Sequence, residues 1–191
     1  MVASPLDAVF LDRDGIINVK ASEGDYITRP EQLQLIPGAA EGIRILNQAG
    51  VPAVVVTNQR GVALGKMDES ELRAVHSRLR ELLLDRAASI DAIFYCPHNE
   101  GVCACRKPGT LLLRRAQAFL GLTLLRHAIM IGDSWRDVEA GRRVGARTVF
   151  LDPRLTSSER RDVAPTLLHA VRRELCADQA APQFEPARSW P

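Results

Sequence analysis

The sequence predicts an α/β fold, a doubly wound, mainly parallel, Rossmann-like sheet with helices on both faces. Three observations support this prediction. Short apolar runs rich in β-branched residues, such as 53–56, alternate with longer segments of helical periodicity. The run 53–56 is apolar at every position, which is typical of parallel strands that are covered on both faces. Polar residues follow three of the runs, and open α/β sheets bind their ligands at the carboxyl ends of strands.

Five strands and five helices are predicted in alternating order. The predicted strands are 8–11, 53–56, 92–95, 128–131 and 147–151. The predicted helices are 38–49, 69–87, 110–120, 135–144 and 163–175. Gly50 follows the first helix, as glycine commonly does at a helix end. Asp68 and Glu71 have the spacing of a capping box at the start of the second helix. Residues 16–36 contain several helix breakers and are expected to form a loop or small flap.

The size and composition fit one globular domain, which we place at residues 1–176. The chain has 191 residues, of which 46% are hydrophobic and 25% charged, so it can bury a core without disulfides. Residues 177–191 contain three prolines and little periodicity, and we expect a poorly ordered tail.

Charge and hydropathy limit the expected partners. The formal net charge of +2 gives no reason to expect nucleic acid. No apolar run approaches the roughly 18–20 residues that span a bilayer, so no membrane contact is expected. Residues 1–7 carry no basic or apolar stretch typical of a secretion signal, and the expected location is therefore cytoplasmic. A monomer is the expected state.

Two carboxylates follow the first strand directly. Asp12 and Asp14 would share a face if the backbone stays extended, and two close carboxylates can divide roles between charge and proton transfer. A strand that ends in an Asp-Gly turn is the alternative interpretation. However, Thr57 and Asn58 end the second strand and Asp133 follows the fourth. Three polar strand ends at one edge of the sheet favour a functional site.

The side chains expected at this edge favour metal-assisted phosphoryl transfer. Several acids in one cleft would repel one another unless a cation joined them, and Mg²⁺ prefers oxygen ligands while keeping waters that a phosphate can replace. The Thr57 hydroxyl and the Lys107 ammonium suit phosphoryl oxygens. We therefore expect a carboxylate nucleophile that acts on a phosphate ester. The sequence has no glycine-rich Walker loop, which argues against a P-loop kinase.

A second metal site is indicated by three cysteines and a histidine close together in the sequence. These residues are Cys96, His98, Cys103 and Cys105. Three thiolates and one imidazole form the ligand set of a closed, structural Zn²⁺ site without a catalytic role. Buried free cysteines with a chance histidine are the alternative. A metal here would fix a loop of little secondary structure and direct Arg106 and Lys107 toward the phosphate.

The ordered polar motifs resemble those of the haloacid dehalogenase superfamily phosphatases. The matching motifs are Asp12-x-Asp14-Gly15, Thr57, Lys107 and Gly132-Asp133-x-x-x-Asp137. The resemblance implies that Asp12 attacks phosphorus to form an aspartyl-phosphate. Asp14 would protonate the leaving alcohol and then help to activate water. Thr57 and Lys107 would hold the phosphoryl oxygens.

The same resemblance implies the metal ligands. Asp12, the Asp14 carbonyl and Asp133 would bind Mg²⁺. Asp137 would orient Lys107 or cap the fourth helix.

Three longer segments are similar to the D-glycero-D-manno-heptose-1,7-bisphosphate 7-phosphatases and the related histidinol-phosphate phosphatases. The segments are 12–19, 54–63 and 96–108. The similarity implies removal of the 7-phosphate from a heptose bisphosphate. Ile16, Ser134 and the short spacing from His98 to Cys103 depart from the heptose pattern. That spacing makes histidinol phosphate the alternative substrate, and an inactive, zinc-stabilised binding module is the alternative of another class.

No separate cap domain is expected, so loops must choose the substrate. The loops are 18–29, 58–66 and the zinc loop, which carries the four candidate zinc ligands from Cys96 to Cys105. Asn58, Gln59, Arg60 and Arg106 are the candidate substrate-binding residues. Arginine favours bidentate contacts with phosphate, so the two arginines could hold a second anionic group of a small phosphorylated sugar. Otherwise they are solvated surface residues.

Overall fold

The computed structural model describes residues 6–157 and 160–179, which form one parallel sheet between two layers of helices. The strands are β1 (Ala8–Leu11), β2 (Ala53–Asn58), β3 (Ala92–Cys96), β4 (Ala128–Gly132), β5 (Arg147–Leu151) and β6 (Val163–Ala164). The helices are α1 (Ala39–Gln48), α2 (Glu69–Leu84), α3 (Leu111–Phe119), α4 (Trp135–Arg143) and α5 (Leu167–Gln179). A short 3-10 helix, Pro30–Gln32, lies between β1 and α1.

The strand order places the sequence motifs side by side. The six strands run β3-β2-β1-β4-β5-β6, and every pair is parallel. The last residue of β1, Leu11, is in register with Val55 of β2 and Ile131 of β4. After β1 the chain forms β2 and β3 on one side of that strand and then crosses to β4 on the other side. The carboxyl ends of β1 and β4 therefore form a topological switch point. Such points are where open α/β sheets bind ligands.

The central strand supplies apolar side chains to both faces of the sheet. Val9 and Leu11 pack in the cluster that contains buried residues of α1, α2 and α5. Ala8 and Phe10 pack in the cluster that contains buried residues of α3 and α4. This two-sided burial explains the continuous apolar runs, because neither face of the strand meets water. The predicted α/β fold is confirmed.

The C-terminal part of the prediction was wrong in its boundaries. Residues 163 and 164 form β6 beside β5, and α5 begins only at Leu167. Pro165 explains the difference, because the residue before a proline is disfavoured in the helical conformation. The Thr166 hydroxyl accepts a hydrogen bond from the His169 amide at 3.2 Å and caps the new helix start. The helix continues to Gln179, beyond the predicted start of the tail, and residues 180–191 lie outside the described residues.

The described chain forms no separate cap domain over the carboxyl edge of the sheet, as predicted. The second helix begins with the predicted capping box. The Asp68 carboxylate accepts from the Glu71 amide at 2.8 Å, and the Glu71 carboxylate accepts from the Asp68 amide at 2.8 Å. Within the described ranges, no helix combines the length and apolar character that crossing a membrane would require.

Candidate active site

Three neighbouring strands bring the predicted polar residues to one edge. Asp12 follows β1, Thr57 lies at the end of β2, and Asp133 follows β4. The Asp12 amide donates to the Ile131 carbonyl at 3.0 Å, which holds the residue against β4 as the strand ends. The strand order β2-β1-β4 therefore converts three separate sequence motifs into one site.

A fully buried lysine joins two of the acids. Lys107 Nζ lies 3.1 Å from Asp12 Oδ2 and 2.6 Å from Asp137 Oδ1, and it donates to the Val56 carbonyl at 2.6 Å. Burial alone would lower the pKa of Lys107, but the charges of Asp12 and Asp137 outweigh it and raise that pKa. The ammonium thus stays charged beside Asp12.

The backbone of Lys107 is fixed by a residue of β2. The Asn58 amide group donates to the Lys107 carbonyl at 3.1 Å, and its oxygen accepts from the Lys107 amide at 2.9 Å. This reciprocal pair connects positions that are 49 residues apart. The Asn58 side chain thus ties the Lys107 backbone to the sheet, and its predicted role in substrate binding stays a prediction.

The Asp12 carboxyl has a raised pKa. Burial raises it to about 6, while the neighbouring Lys107 ammonium acts in the opposite direction. One oxygen accepts a hydrogen bond from the Arg13 amide at 2.7 Å. A divalent cation at this carboxylate would favour its charged form.

The Asp14 carboxylate is held by three side chains. Oδ1 accepts from Arg13 Nη2 and Asn18 Nδ2, both at 2.9 Å. Oδ2 accepts from Arg13 Nη2 at 3.0 Å and from Gln59 Nε2 at 2.9 Å. Burial would raise the pKa of Asp14, but the Arg13 charge and the amide hydrogen bonds outweigh burial and lower it. The contact between Arg13 and Asp14 was not predicted from the sequence. The position of an arginine between two acids was the signal that could have indicated it.

Gln59 links Asp14, which follows β1, to Thr57 of β2. Its Nε2 donates both to Asp14 and to Thr57 Oγ1, at 2.9 and 3.0 Å. Gln59 and Thr57 are both buried. Gln59 was predicted to bind substrate, and the structure gives its amide two internal partners. Its contacts orient the Asp14 carboxylate and the Thr57 hydroxyl.

The carboxylates of Asp12, Asp133 and Asp137 form a cluster that fits a divalent cation. One oxygen from each lies within 4.8 Å of the others. Gly15 has a φ of +85°, and a Cβ there would collide with the Asp133 carboxylate. The glycine therefore permits Asp133 to approach the loop that follows β1. A hard cation such as Mg²⁺ prefers this all-oxygen donor set.

Asp137 has structural partners in addition to its place in this cluster. It binds Lys107 through Oδ1, and its Oδ2 accepts from the Ser134 hydroxyl at 2.6 Å and the Ser134 amide at 3.1 Å. It therefore makes both contacts that were predicted as alternatives, orienting the lysine and capping α4. Asp133 carries an ion pair with Lys20 of the flap at 2.7 Å.

The four predicted zinc ligands converge at the end of β3. The separations among the three sulfurs are 3.1, 3.3 and 3.5 Å, for the pairs formed by Cys96, Cys103 and Cys105. His98 Nδ1 lies 3.2 Å from the Cys105 sulfur. Sulfurs that bind one tetrahedral Zn²⁺ at about 2.3 Å lie roughly 3.8 Å apart, so the cluster needs little expansion to hold the ion.

The two candidate arginines are both tied to the zinc loop. Arg60 Nε donates to Asn99 Oδ1 at 2.6 Å, and Arg106 Nη2 donates to Glu100 Oε1 at 3.3 Å. A cavity of about 260 Å³ lies beside Asp14 and is lined mainly by flap residues 20–27. A larger cavity of about 510 Å³ lies along α4 and β5 and is lined by none of the predicted site residues.

Known proteins are similar to this chain in sequence and in fold. A relative in Pseudomonas aeruginosa, a D-glycero-β-D-manno-heptose-1,7-bisphosphate 7-phosphatase, is 40% identical over 75% of this chain and 79% of its own length. The chain belongs to the haloacid dehalogenase-like phosphatases. A second heptose-bisphosphate 7-phosphatase, from Escherichia coli K12, is 31% identical over 89% of this chain and 92% of its own length. A family model described as HAD-hydrolase-like matches residues 104–172 of this phosphatase.

Solved structures of related phosphatases have the same architecture. The D,D-heptose 1,7-bisphosphate phosphatase of B. bronchiseptica, crystallised with magnesium and phosphate, has a TM-score of 0.80. It is 28% identical and covers 90% of this chain and 99% of its own. A protein from Mesorhizobium loti that is described as HAD-like has a TM-score of 0.74 and 34% identity, over 88% of this chain and 87% of its own. These similarities agree with the predicted fold and enzyme class.

Proposed function

We propose that the protein is a Mg²⁺-dependent phosphatase that removes the 7-phosphate of D-glycero-β-D-manno-heptose 1,7-bisphosphate. The observation that carries the proposal is the meeting of Asp12, Lys107 and Asp133 at one strand edge. A nucleophilic carboxylate, a buried cation and a metal-binding acid are the groups that phosphoryl transfer needs. The sugar is proposed from the relatives, since they are named for this bisphosphate.

In the proposed first step, an Asp12 oxygen attacks the phosphorus atom and the bond from phosphorus to the sugar oxygen breaks. The leaving oxygen takes the electron pair of that bond and a proton from Asp14. Lys107 and the Thr57 hydroxyl stabilise negative charge on the phosphoryl oxygens. Bound Mg²⁺ would supply further positive charge there, held by Asp12, Asp133 and the Asp14 carbonyl.

In the second step, a water oxygen attacks the phosphorus atom and the bond from phosphorus to the Asp12 oxygen breaks. Inorganic phosphate leaves, Asp12 returns to a carboxylate, and Asp14 accepts the proton of the water. The lowered pKa of Asp14 suits this step, because an acceptor must be deprotonated. The first step needs the protonated form, which the negative charge of an arriving phosphate would favour. Asp14 thus alternates between the two forms during a turnover.

Substrate selection is proposed to depend on the loops at the edge of the site. Arg60 and Arg106 would bind the 1-phosphate, since each projects from a segment beside the zinc cluster. Asn58 and Gln59 would act indirectly, because their amides already hold Lys107, Asp14 and Thr57.

A comparison of rates tests the substrate directly. Phosphate release should be measured in parallel on both anomers of heptose 1,7-bisphosphate and on histidinol phosphate, with Mg²⁺ present. We expect the highest kcat/KM on the β-anomer. Faster release from histidinol phosphate would support the alternative substrate. An absence of release from a broad panel of phosphate esters would favour the inactive binding module.

We also propose that the cysteine cluster holds a structural Zn²⁺ ion. The protein should contain about one Zn²⁺ per chain, as a closed four-ligand site predicts. Replacing Cys105 with serine should remove the zinc and reduce activity, since Lys107 follows two residues later. Metal analysis of protein purified without chelators measures the first effect, and phosphate release measures the second.

Cys176→Ser is the matched control for this experiment. Cys176 is exposed and lies on α5, outside the cluster, so zinc content and activity should both stay at the wild-type level. Wild-type protein that carries no zinc when freshly purified would contradict the proposed site.

A further inference from the structure

Arg13, which lies between Asp12 and Asp14, is buried although its guanidinium group is not fully hydrogen-bonded. The Arg13 side chain is 0% exposed, and its Nη1 is among the buried atoms without a hydrogen-bond partner in residues 6–157 and 160–179. Removing a guanidinium from water is costly, and an apolar side chain of similar volume often stabilises a fold as well or better. Stability of the fold therefore does not account for an arginine here.

Within the described residues, the side-chain hydrogen bonds of Arg13 go to one carboxylate, that of Asp14. Arg13 Nη2 lies 2.9 Å from Asp14 Oδ1 and 3.0 Å from Oδ2, and Nε lies 3.2 Å from Oδ1. The planar guanidinium thus fixes the plane of the carboxylate as well as its position.

The other two partners distinguish the two oxygens of Asp14. Oδ1 accepts from Asn18, which is fully buried. Oδ2 accepts from Gln59, whose same Nε2 also donates to the Thr57 hydroxyl. Because Oδ2 shares the Gln59 donor with the Thr57 hydroxyl, Oδ2 lies on the side of the candidate phosphoryl site.

We propose that Arg13 is a positioning residue for proton transfer. It anchors Asp14 so that Oδ2 faces the leaving oxygen, and the Oδ2 proton passes to that oxygen as the bond to phosphorus breaks. This inference rests on the proposed function, in which Asp14 is the proton carrier. Arg13 itself does not touch the substrate.

Two substrates separate positioning from a structural role. An alkyl phosphate leaves as an alkoxide that needs a proton, whereas 4-nitrophenyl phosphate leaves as a stable anion without one. In Arg13→Met, with saturating Mg²⁺, we follow the first step alone, as release of the leaving group in a single turnover, because the second step is the same for both esters. We expect its rate to fall by about 100-fold or more on the alkyl ester and by less than about threefold on the aryl ester. KM for both esters should change little, since Arg13 binds neither.

Three further variants complete the test. Arg80→Met is the matched control. Arg80 lies on α2 and donates to the Ile90 carbonyl, so its replacement should leave the ratio of alkyl to aryl rates unchanged. Arg13→Lys should recover part of the alkyl activity. If Arg13→Met does not fold, Asn18→Ala, which removes a smaller contact to Oδ1, should lower the alkyl rate selectively.

The decisive result is the ratio of the two rates. An equal loss on both esters in Arg13→Met, or in Asn18→Ala when the first variant does not fold, would overturn the inference. The ratio can be measured with any alkyl phosphate that the wild type cleaves. A wrong sugar assignment would appear in the wild-type rates and would leave this comparison intact.

Discussion

Asp12→Asn is expected to lower phosphate release by at least about 10⁴-fold, as removal of a nucleophile does in enzymes that form covalent intermediates. The asparagine side chain cannot attack phosphorus and offers a weaker ligand to a cation. The fold should persist, because burial already raises the pKa of this carboxyl to about 6 and a neutral amide avoids that cost. Phosphate release and thermal unfolding, measured on the same preparation, check both expectations.

Asp7→Asn is the matched control for this prediction. Asp7 lies just before β1 and is exposed, and the same chemical change there should leave the rate unchanged. An Asp12→Asn protein that keeps more than about a tenth of the wild-type rate would contradict a nucleophilic role.

Lys107→Met is expected to affect both stability and activity. The change leaves Asp12 and Asp137 facing each other in a buried site without a cation. Breaking a buried ion pair from one side costs about 3–5 kcal/mol of unfolding free energy. Activity should fall by about 100-fold or more, since a cation at the phosphoryl oxygens is lost. Denaturant unfolding without Mg²⁺, together with phosphate release, measures the two effects.

A second variant separates the two effects of the lysine. Lys107→Met combined with Asp137→Asn removes one of the two negative charges that face each other, and the new amide group can still cap α4. The double variant should regain part of the unfolding free energy and none of the activity. Equal denaturation midpoints for Lys107→Met and the wild type would contradict the assigned ion pairs.

The sheet and its polar edge were predictable because their signals are local in the sequence. Continuous β-branched runs such as 53–56 require burial on both faces, and that requirement sets the layered fold. Once the strands are parallel, residues that follow their carboxyl ends must share an edge. The hydrophobic pattern of the strands therefore predicted that Asp12 and Asp133 lie at the same edge of the sheet. The same pattern could not predict strand β6, because a strand of two residues shows no periodicity.

The connections within the site could not be predicted in the same way. Asn58 holds a backbone 49 residues away, and Gln59 reaches back 45 residues to Asp14. No local pattern encodes such pairs, so these internal contacts were not predicted from the sequence, and the assignment of both residues to the substrate stays a prediction. Arg13 was missed for a similar reason, since its burial depends on packing around β1. The cytoplasmic location and the monomeric state stay predictions.

Trapping the covalent intermediate tests the central claim most directly. The Mg²⁺-loaded enzyme should be mixed with heptose bisphosphate, quenched in acid and treated with borohydride, which converts an aspartyl-phosphate to stable homoserine. The protein is then digested with trypsin. Cleavage after Arg13 separates Asp12, in peptide 1–13, from Asp14, in peptide 14–20. We predict one transient phosphoryl group on Asp12, absent from the Asp12→Asn protein. A phosphoryl group on another residue, or none on peptide 1–13 during turnover, would contradict the account.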